Sequence, residues 1–312
     1  MKIVFLDRKS VGEDIDLSKF KEFGEWQEYD LTALEKIPER IADADIILTN
    51  KCPMNEATLA AAKKAKLICV TATGTNNLDK EYLEKRNIVW RNAAGYSTEA
   101  VAQHTFALLL YLYEKLSYYD TFVKDGSYTR GEMFTHFGKP FGELAGKTWG
   151  IIGLGTIGKR VAEIAKAFGC QVQYYSTSGK NHSSDYKEVD FATLLSTSDF
   201  VSIHAPLTDD TLHLMDKAAL QQMKKTAILI NVGRGPIIVE ADLAEALDAG
   251  WIAGAGIDVL DKEPMTADNP LGRIKDSTRL LITPHMAWAS VEARTRLMDI
   301  IYEHMKTFIA SL

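Results

Sequence analysis

Apolar residues fall in short blocks through residues 1–95, at Lys2 to Leu6, Ile46 to Thr49, Leu67 to Thr71 and Ile88 to Trp90. Blocks this short, alternating with helical patterns, predict strands joined by crossover helices and hence a parallel sheet. From Thr98 the pattern becomes one long amphipathic helix running to about Lys124 and closing at Asp125-Gly126, with Glu99 in its first turn. Residues 126–147 are polar and aromatic with interspersed Gly and Pro, which predicts an extended connection. A second strand series then begins after Gly146-Lys147, at Thr148 to Ile152, Gln171 to Tyr175, Phe200 to His204, Ala227 to Asn231, Gly254 to Asp258 and Leu280 to Thr283. Six strands joined mostly by helices suit a doubly wound dinucleotide-binding sheet. A final helix, Ser290 to about Ser311, follows that sheet and is expected to pack back on the first domain.

The chain has 312 residues, about twice the ~150 expected of one domain, so two cores are expected. Its 36 Lys and Arg against 42 Asp and Glu give a net charge of −6. No clustered basic face is present to hold nucleic acid. Cys52, Cys69 and Cys170 are an odd number without metal-ligand spacing, which argues against a disulfide framework and a zinc site and for a reducing, cytoplasmic setting. The chain opens on a strand-like run rather than a signal peptide. Its most apolar stretch, Phe106 to Tyr113, is far below the ~20 residues of a membrane span, so no membrane partner is expected.

Gly153-Leu154-Gly155-Thr156-Ile157-Gly158 fits GxGxxG between a predicted strand and a predicted helix, the context that gives the motif its meaning. Gly153 permits a tight turn, Gly155 lets backbone amides approach a pyrophosphate, and Gly158 lets helix and strand pack closely. The second strand of such a sheet normally ends in an acid that binds the adenosine ribose. Here it ends in Ser176-Thr177-Ser178-Gly179-Lys180. Those hydroxyls with Lys180 either cradle a 2′-phosphate or hydrogen-bond the ribose of NAD, and Thr177 and Ser178 fit a solvated turn equally well. Arg234, Glu263 and His285 each follow a predicted strand, and strand carboxyl ends are where open α/β sheets bind ligands. Taken singly they suit a surface ion pair, a solvated loop acid and a buried histidine. Together, at one end of successive strands, they suit catalysis. His104, His136, His182, His204, His213 and His304 lack such a setting and are expected to be structural or surface residues.

With these motifs on view, the sequence resembles the D-isomer-specific 2-hydroxyacid dehydrogenases over nearly its whole length. Thr73-Gly74-Thr75-Asn76-Asn77-Leu78-Asp79 looks like that family's substrate-carboxylate loop, and Asn231 to Glu240 and Asp258 to Pro264 look like its arginine and glutamate signatures. Thr283 to Trp288 looks like the segment carrying its acid/base histidine. Asn92 to Glu99, with the Trp288 segment, most resembles the glycerate dehydrogenase, or hydroxypyruvate reductase, branch.

The resemblance implies an α/β protein of two doubly wound parallel-sheet domains. A flavodoxin-like substrate domain of residues 1–99 and 286–312 would hold a Rossmann domain of residues 100–285 as an insertion, with the active site in the cleft between them. Arg234 would bind the substrate carboxylate and keto oxygen, and His285 would donate or accept the proton. Glu263 would orient the imidazole and favour its charged form. Thr73, Gly74, Thr75 and Trp288 would complete the substrate site. Thr73, the Gly153, Gly155, Thr156, Ile157 and Gly158 loop, Ser176, Lys180, Ala205, Pro206, Val232, Gly233, Arg234, Asp258 and His285 would contact the dinucleotide, with Asp258 at the nicotinamide carboxamide. The implied cofactor is NAD, with NADP tolerated, and no metal is required. The implied substrates are small 2-oxo or (R)-2-hydroxy acids, hydroxypyruvate or glyoxylate ahead of D-lactate or branched-chain acids. A homodimer is expected, through the apolar helix Phe106 to Tyr113. The C-terminal-binding corepressors, which share this fold, supply a non-catalytic alternative.

Overall fold

A computed structural model describes residues 1–312. The chain divides into two compact units, one of Met1–Ser97 with Trp288–Leu312 and one of Thr98–Ala287.

In the first unit β1 (Lys2–Phe5), β2 (Glu25–Glu28), β3 (Ile46–Thr49), β4 (Leu67–Val70) and β5 (Val89–Asn92) form one parallel sheet. The order is β2-β1-β3-β4-β5, the flavodoxin-like order. Strands β3 and β4 are buried along their whole length, as strands covered on both faces must be. The edge strand β2 was not predicted. Its sequence, Glu-Trp-Gln-Glu, presents no apolar run, and Trp26 alone anchors it, packing against the rings of Phe5 and Phe20. The C-terminal helix Val291–Ile309 is capped by Ser290 Oγ, which accepts the Ala293 amide at 3.1 Å. It packs against β4 and β5 through a stripe including Leu297, Ile301 and Met305.

The second unit carries β6 (Thr148–Ile152), β7 (Gln171–Tyr175), β8 (Lys187–Glu188), β9 (Phe200–Ile203), β10 (Ile228–Asn231), β11 (Gly254–Ile257) and β12 (Leu280–Ile282). All pair in parallel, in the order β12-β11-β10-β9-β6-β7-β8. Strand order reverses between β6 and β9, the switch point at which a Rossmann sheet opens its ligand crevice. The two-residue, exposed β8 extends the sheet beyond the six predicted strands.

One predicted helix is two. Thr98–Tyr113 ends before Lys115, whose φ of +58° breaks the rod, and Leu116–Lys124 continues in a new direction. The first helix packs on the helix Thr156–Ala167 and on β10 and β11, so close that a Cβ on Gly256 would meet Leu108 Cβ at 3.0 Å. Phe106, Leu108, Leu109 and Leu112 are therefore core of their own unit and not a docking surface. The second helix buries no residue. Exposed apolar side chains cluster there and in the segment after it, where Met133 is 60%, Phe134 90% and Phe137 80% exposed. That segment is irregular apart from a 3-10 turn at Tyr128–Arg130.

Candidate active site

The glycine loop joins β6 to the helix Thr156–Ala167, and its glycines have distinct reasons to be glycine. Gly153 has φ +92°, and a Cβ there would meet the Ala205 backbone nitrogen at 2.8 Å. A Cβ on Gly158 would fall 2.2 Å from the Gly153 carbonyl oxygen, so helix and strand pack as closely as backbones allow. Around Gly155, the N-cap residue, the space is open, and no side chain caps the helix. Its first amides are left for an anion. At the end of β7, Ser176 Oγ is buried without a hydrogen-bond partner. Lys180 is exposed and forms no ion pair, whereas nearby His182 is taken by Glu188 at 2.8 Å. An open phosphate cradle with an orphaned hydroxyl at the ribose position fits a dinucleotide.

At the carboxyl end of β10, Asn231 is wholly buried and staples the following turn. Its Oδ1 accepts the Gly233 amide at 3.0 Å, and its Nδ2 donates to the Arg234 carbonyl at 2.9 Å. Gly235 then lies so close to the Leu260 backbone that a Cβ would sit 1.9 Å from the Leu260 carbonyl carbon. The Arg234 and Glu263 loops are thereby held side by side. Arg234 is exposed, donates to the Gly233 carbonyl at 2.7 Å and has no carboxylate in ion-pair reach. The surface ion pair that would have made it ordinary is absent, so its fork is free for a carboxylate.

Glu263 uses both oxygens. Oε1 accepts the Leu260 amide at 2.9 Å, and Oε2 lies 2.7 Å from His285 Nδ1. The pair is about a third exposed, at 36% and 30%. Because Nδ1 faces a carboxylate it carries a proton, which leaves Nε2 to give or take one. His285 has φ +53°, a left-handed conformation uncommon for residues other than glycine, with histidine among the few enriched there. Its amide points back into the protein, donating to the carbonyls of Asp258 at 2.8 Å and Thr283 at 3.0 Å.

Asp258 fixes the rest of that turn. It is 1% exposed; Oδ1 accepts Thr283 Oγ1 at 2.6 Å and the Met286 amide at 2.9 Å, and Oδ2 accepts the Ala287 amide at 2.9 Å. His104 Nε2 stands 3.0 Å from Thr283 Oγ1 and 3.5 Å from Asp258 Oδ1. His104, expected to be a structural or surface residue, is partly buried and braces the Asp258 carboxylate behind His285. Asn231 was likewise not singled out for this role. His204, expected to be a structural or surface residue, is largely enclosed, and burial pushes its imidazole pKa down to about 3.

In the first unit the Thr73–Thr75 loop follows β4. Asn92 Nδ2 donates to the Thr73 carbonyl at 2.7 Å, and Asn77 Nδ2 ties the loop to the Cys52 carbonyl at 3.0 Å. The amides of Gly74 and Thr75 donate to no group of the protein. Trp288 packs edge-on against Tyr96, with ring centroids 6.1 Å apart.

Comparison with known proteins supplies a family for this geometry. Residues 106–287 match the model of the D-isomer specific 2-hydroxyacid dehydrogenase NAD binding domain. The chain is 37% identical over 310 residues to the glycerate dehydrogenase of Methylorubrum extorquens, covering 99% of this chain and 96% of that one. It is also 37% identical to the hydroxypyruvate reductase of Blautia hydrogenotrophica, with 99% and 97% covered. Among solved structures, an acyclic imino acid reductase in complex with NADPH and D-Arg matches with a TM-score of 0.86 at 30% identity, with 100% and 98% covered. A glycine loop at the switch point, and a strand-end arginine beside a carboxylate–imidazole pair, thus occur in a chain similar to such enzymes from end to end: it belongs to the D-isomer specific 2-hydroxyacid dehydrogenase family.

Proposed function

We propose that this protein reduces hydroxypyruvate, and less efficiently glyoxylate, to the (R)-2-hydroxy acid, using NADH and tolerating NADPH. The observation that carries the proposal is the 2.7 Å contact between Glu263 Oε2 and His285 Nδ1 beside an unpaired Arg234. Bound reduced nicotinamide supplies the hydride. Arg234 binds the substrate carboxylate and keto oxygen, stabilising negative charge as it develops on that oxygen. His285 Nε2 delivers the proton to the oxygen, and Glu263 keeps Nδ1 protonated throughout. Relatives named for glycerate and hydroxypyruvate favour a small polar substrate, and a site that hydrogen-bonds a substrate hydroxyl rejects the analogue lacking it.

Tolerance of NADPH rests on Ser176, which leaves no carboxylate to repel a 2′-phosphate, and on the unpaired Lys180. Steady-state assays of hydroxypyruvate, glyoxylate, pyruvate and branched 2-oxo acids with each cofactor test the proposal. Hydroxypyruvate ranks first by kcat/KM; a clear preference for pyruvate or a branched acid refutes the substrate assignment. The protein further acts as a homodimer, with the exposed aromatic segment around Phe134 and Phe137 as the contact and not the helix Phe106 to Tyr113.

A further inference from the structure

Dinucleotide and acid chemistry occupy the carboxyl ends of the larger sheet. At the opposite, amino ends of β10, β11 and β12 lies a pocket of about 350 Å³ lined by Lys115, Lys225, Thr226, Arg279, Tyr113 and Phe141 among others. Three of its lining residues are cationic and none is acidic, in a chain whose net charge is −6. Lys224, next in sequence, is neutralised by Asp199 at 3.0 Å, but Lys115, Lys225 and Arg279 form no ion pair. The acids nearby are already engaged. Asp199 also accepts the Thr148 amide at 2.9 Å, and Asp276 accepts the amide and hydroxyl of Thr278 at 3.1 and 2.6 Å.

Arg279 is fixed in place by three hydrogen bonds. Arg279 donates from Nε, Nη1 and Nη2 to the carbonyls of Ala253, Leu247 and Ile252 at 3.2, 2.5 and 2.5 Å. Of the five N–H groups in its fork, two remain unspent. Lys115 sits at the break between two helices with φ +58°, a conformation that lysine adopts at a cost and that tends to accumulate at ligand sites. Burial, then Arg279 and Lys139, press its ammonium pKa below the usual lysine range, with Asp276 opposing weakly. Such crowding of like charge is relieved by an anion.

We propose that this pocket binds a tetrahedral phosphate, as the free ion or as a phosphomonoester. Lys115 and Lys225 supply charge, Arg279 its two remaining N–H donors, and the Thr226 hydroxyl, which has no protein partner, a further hydrogen bond. Three cations around one group suit an oxyanion of charge near −2, not a monocarboxylate.

Isothermal titration of inorganic phosphate at constant ionic strength tests the site, with NADH saturating so that the glycine loop is filled. One saturable site per chain is expected, weakened at least ~10-fold by Lys115→Asn and by Lys225→Gln. Asparagine accepts the left-handed backbone, and Lys225 is exposed, so its replacement reports on binding even where Lys115→Asn disturbs the helix break. Tighter binding of phosphate than of glycerol 2-phosphate supports the free ion, and the reverse order supports a monoester. No saturable binding of either, or unchanged affinity in both variants, overturns the proposal.

Discussion

Replacing Glu263 by Gln keeps the shape of the site and changes one atom from acceptor to donor. Glu263 Oε1 accepts the Leu260 amide at 2.9 Å and Oε2 faces His285 Nδ1 at 2.7 Å. Glutamine has one oxygen for these two positions. If the oxygen stays with the Leu260 amide, the NH2 group faces Nδ1, which must then give up its proton and become an acceptor. The imidazole is forced into the tautomer with its proton on Nε2, so it cannot act as a base there, and its doubly protonated form meets a donor head-on. If the amide flips, Nδ1 keeps its acceptor and the Leu260 N–H loses one. An unsatisfied or mispaired buried group costs about 1–3 kcal/mol. Because the pair is about a third exposed, water restores part of the loss, which leaves about 1–2 kcal/mol. That corresponds to a fall in kcat of roughly 5- to 30-fold. The assay is initial-rate oxidation of NADH with hydroxypyruvate, alongside D-glycerate oxidation. Both rates fall together while the KM for NADH changes little. His285→Ala sets the floor, at ~10²-fold or more below the parent enzyme. A kcat for Glu263→Gln within about two-fold of the parent refutes the orienting role, since mispairing at that position would then cost less than 0.5 kcal/mol.

Asp258→Asn opposes an amide NH2 to at least one of the three donors on that carboxylate. The melting temperature falls by about 3–10 °C, following from ~1–3 kcal/mol at ~2–4 °C per kcal/mol, and kcat falls with it; calorimetry showing an unchanged Tm would contradict the capping role. Ser176→Asp restores the charge that repels a 2′-phosphate, so the ratio of kcat/KM for NADH over NADPH rises. A parent ratio already strongly favouring NADH would place selectivity elsewhere. Paired Phe134→Ser and Phe137→Ser substitutions convert a dimer to a monomer in sedimentation, whereas a parent protein sedimenting only at 34.7 kDa excludes the dimer.

Much of the fold is legible in the chain because buried parallel strands must be largely apolar, and β3, β4, β6 and β9 fall where their apolar blocks do to within a residue. The edges are not. Strand β2 is charged at both ends and held by one tryptophan, and β8 is two exposed residues, so neither leaves a pattern. The helix break at Lys115 is hidden for another reason: apolar residues continue through it, and only backbone geometry reveals that the second half buries nothing. Arg234, Glu263 and His285 announce themselves as polar residues at strand ends. Asn231 and His104 do not. Asn231 looks like the last residue of a strand, and its stapling of the arginine turn exists only once that turn has formed. His104 sits mid-helix, 179 residues from the threonine it touches, and no local pattern links them.

The proposed reaction is reduction of a small 2-oxo acid to its (R)-2-hydroxy product, served by His285 and Arg234. Chiral analysis of the product formed from hydroxypyruvate and NADH tests it most directly, with NADH consumption measured in the same vessel. One D-glycerate should form for each NADH consumed, and this production should collapse in His285→Ala although NADH still binds. Formation of L-glycerate, or of D-glycerate at an undiminished rate in His285→Ala, would contradict it.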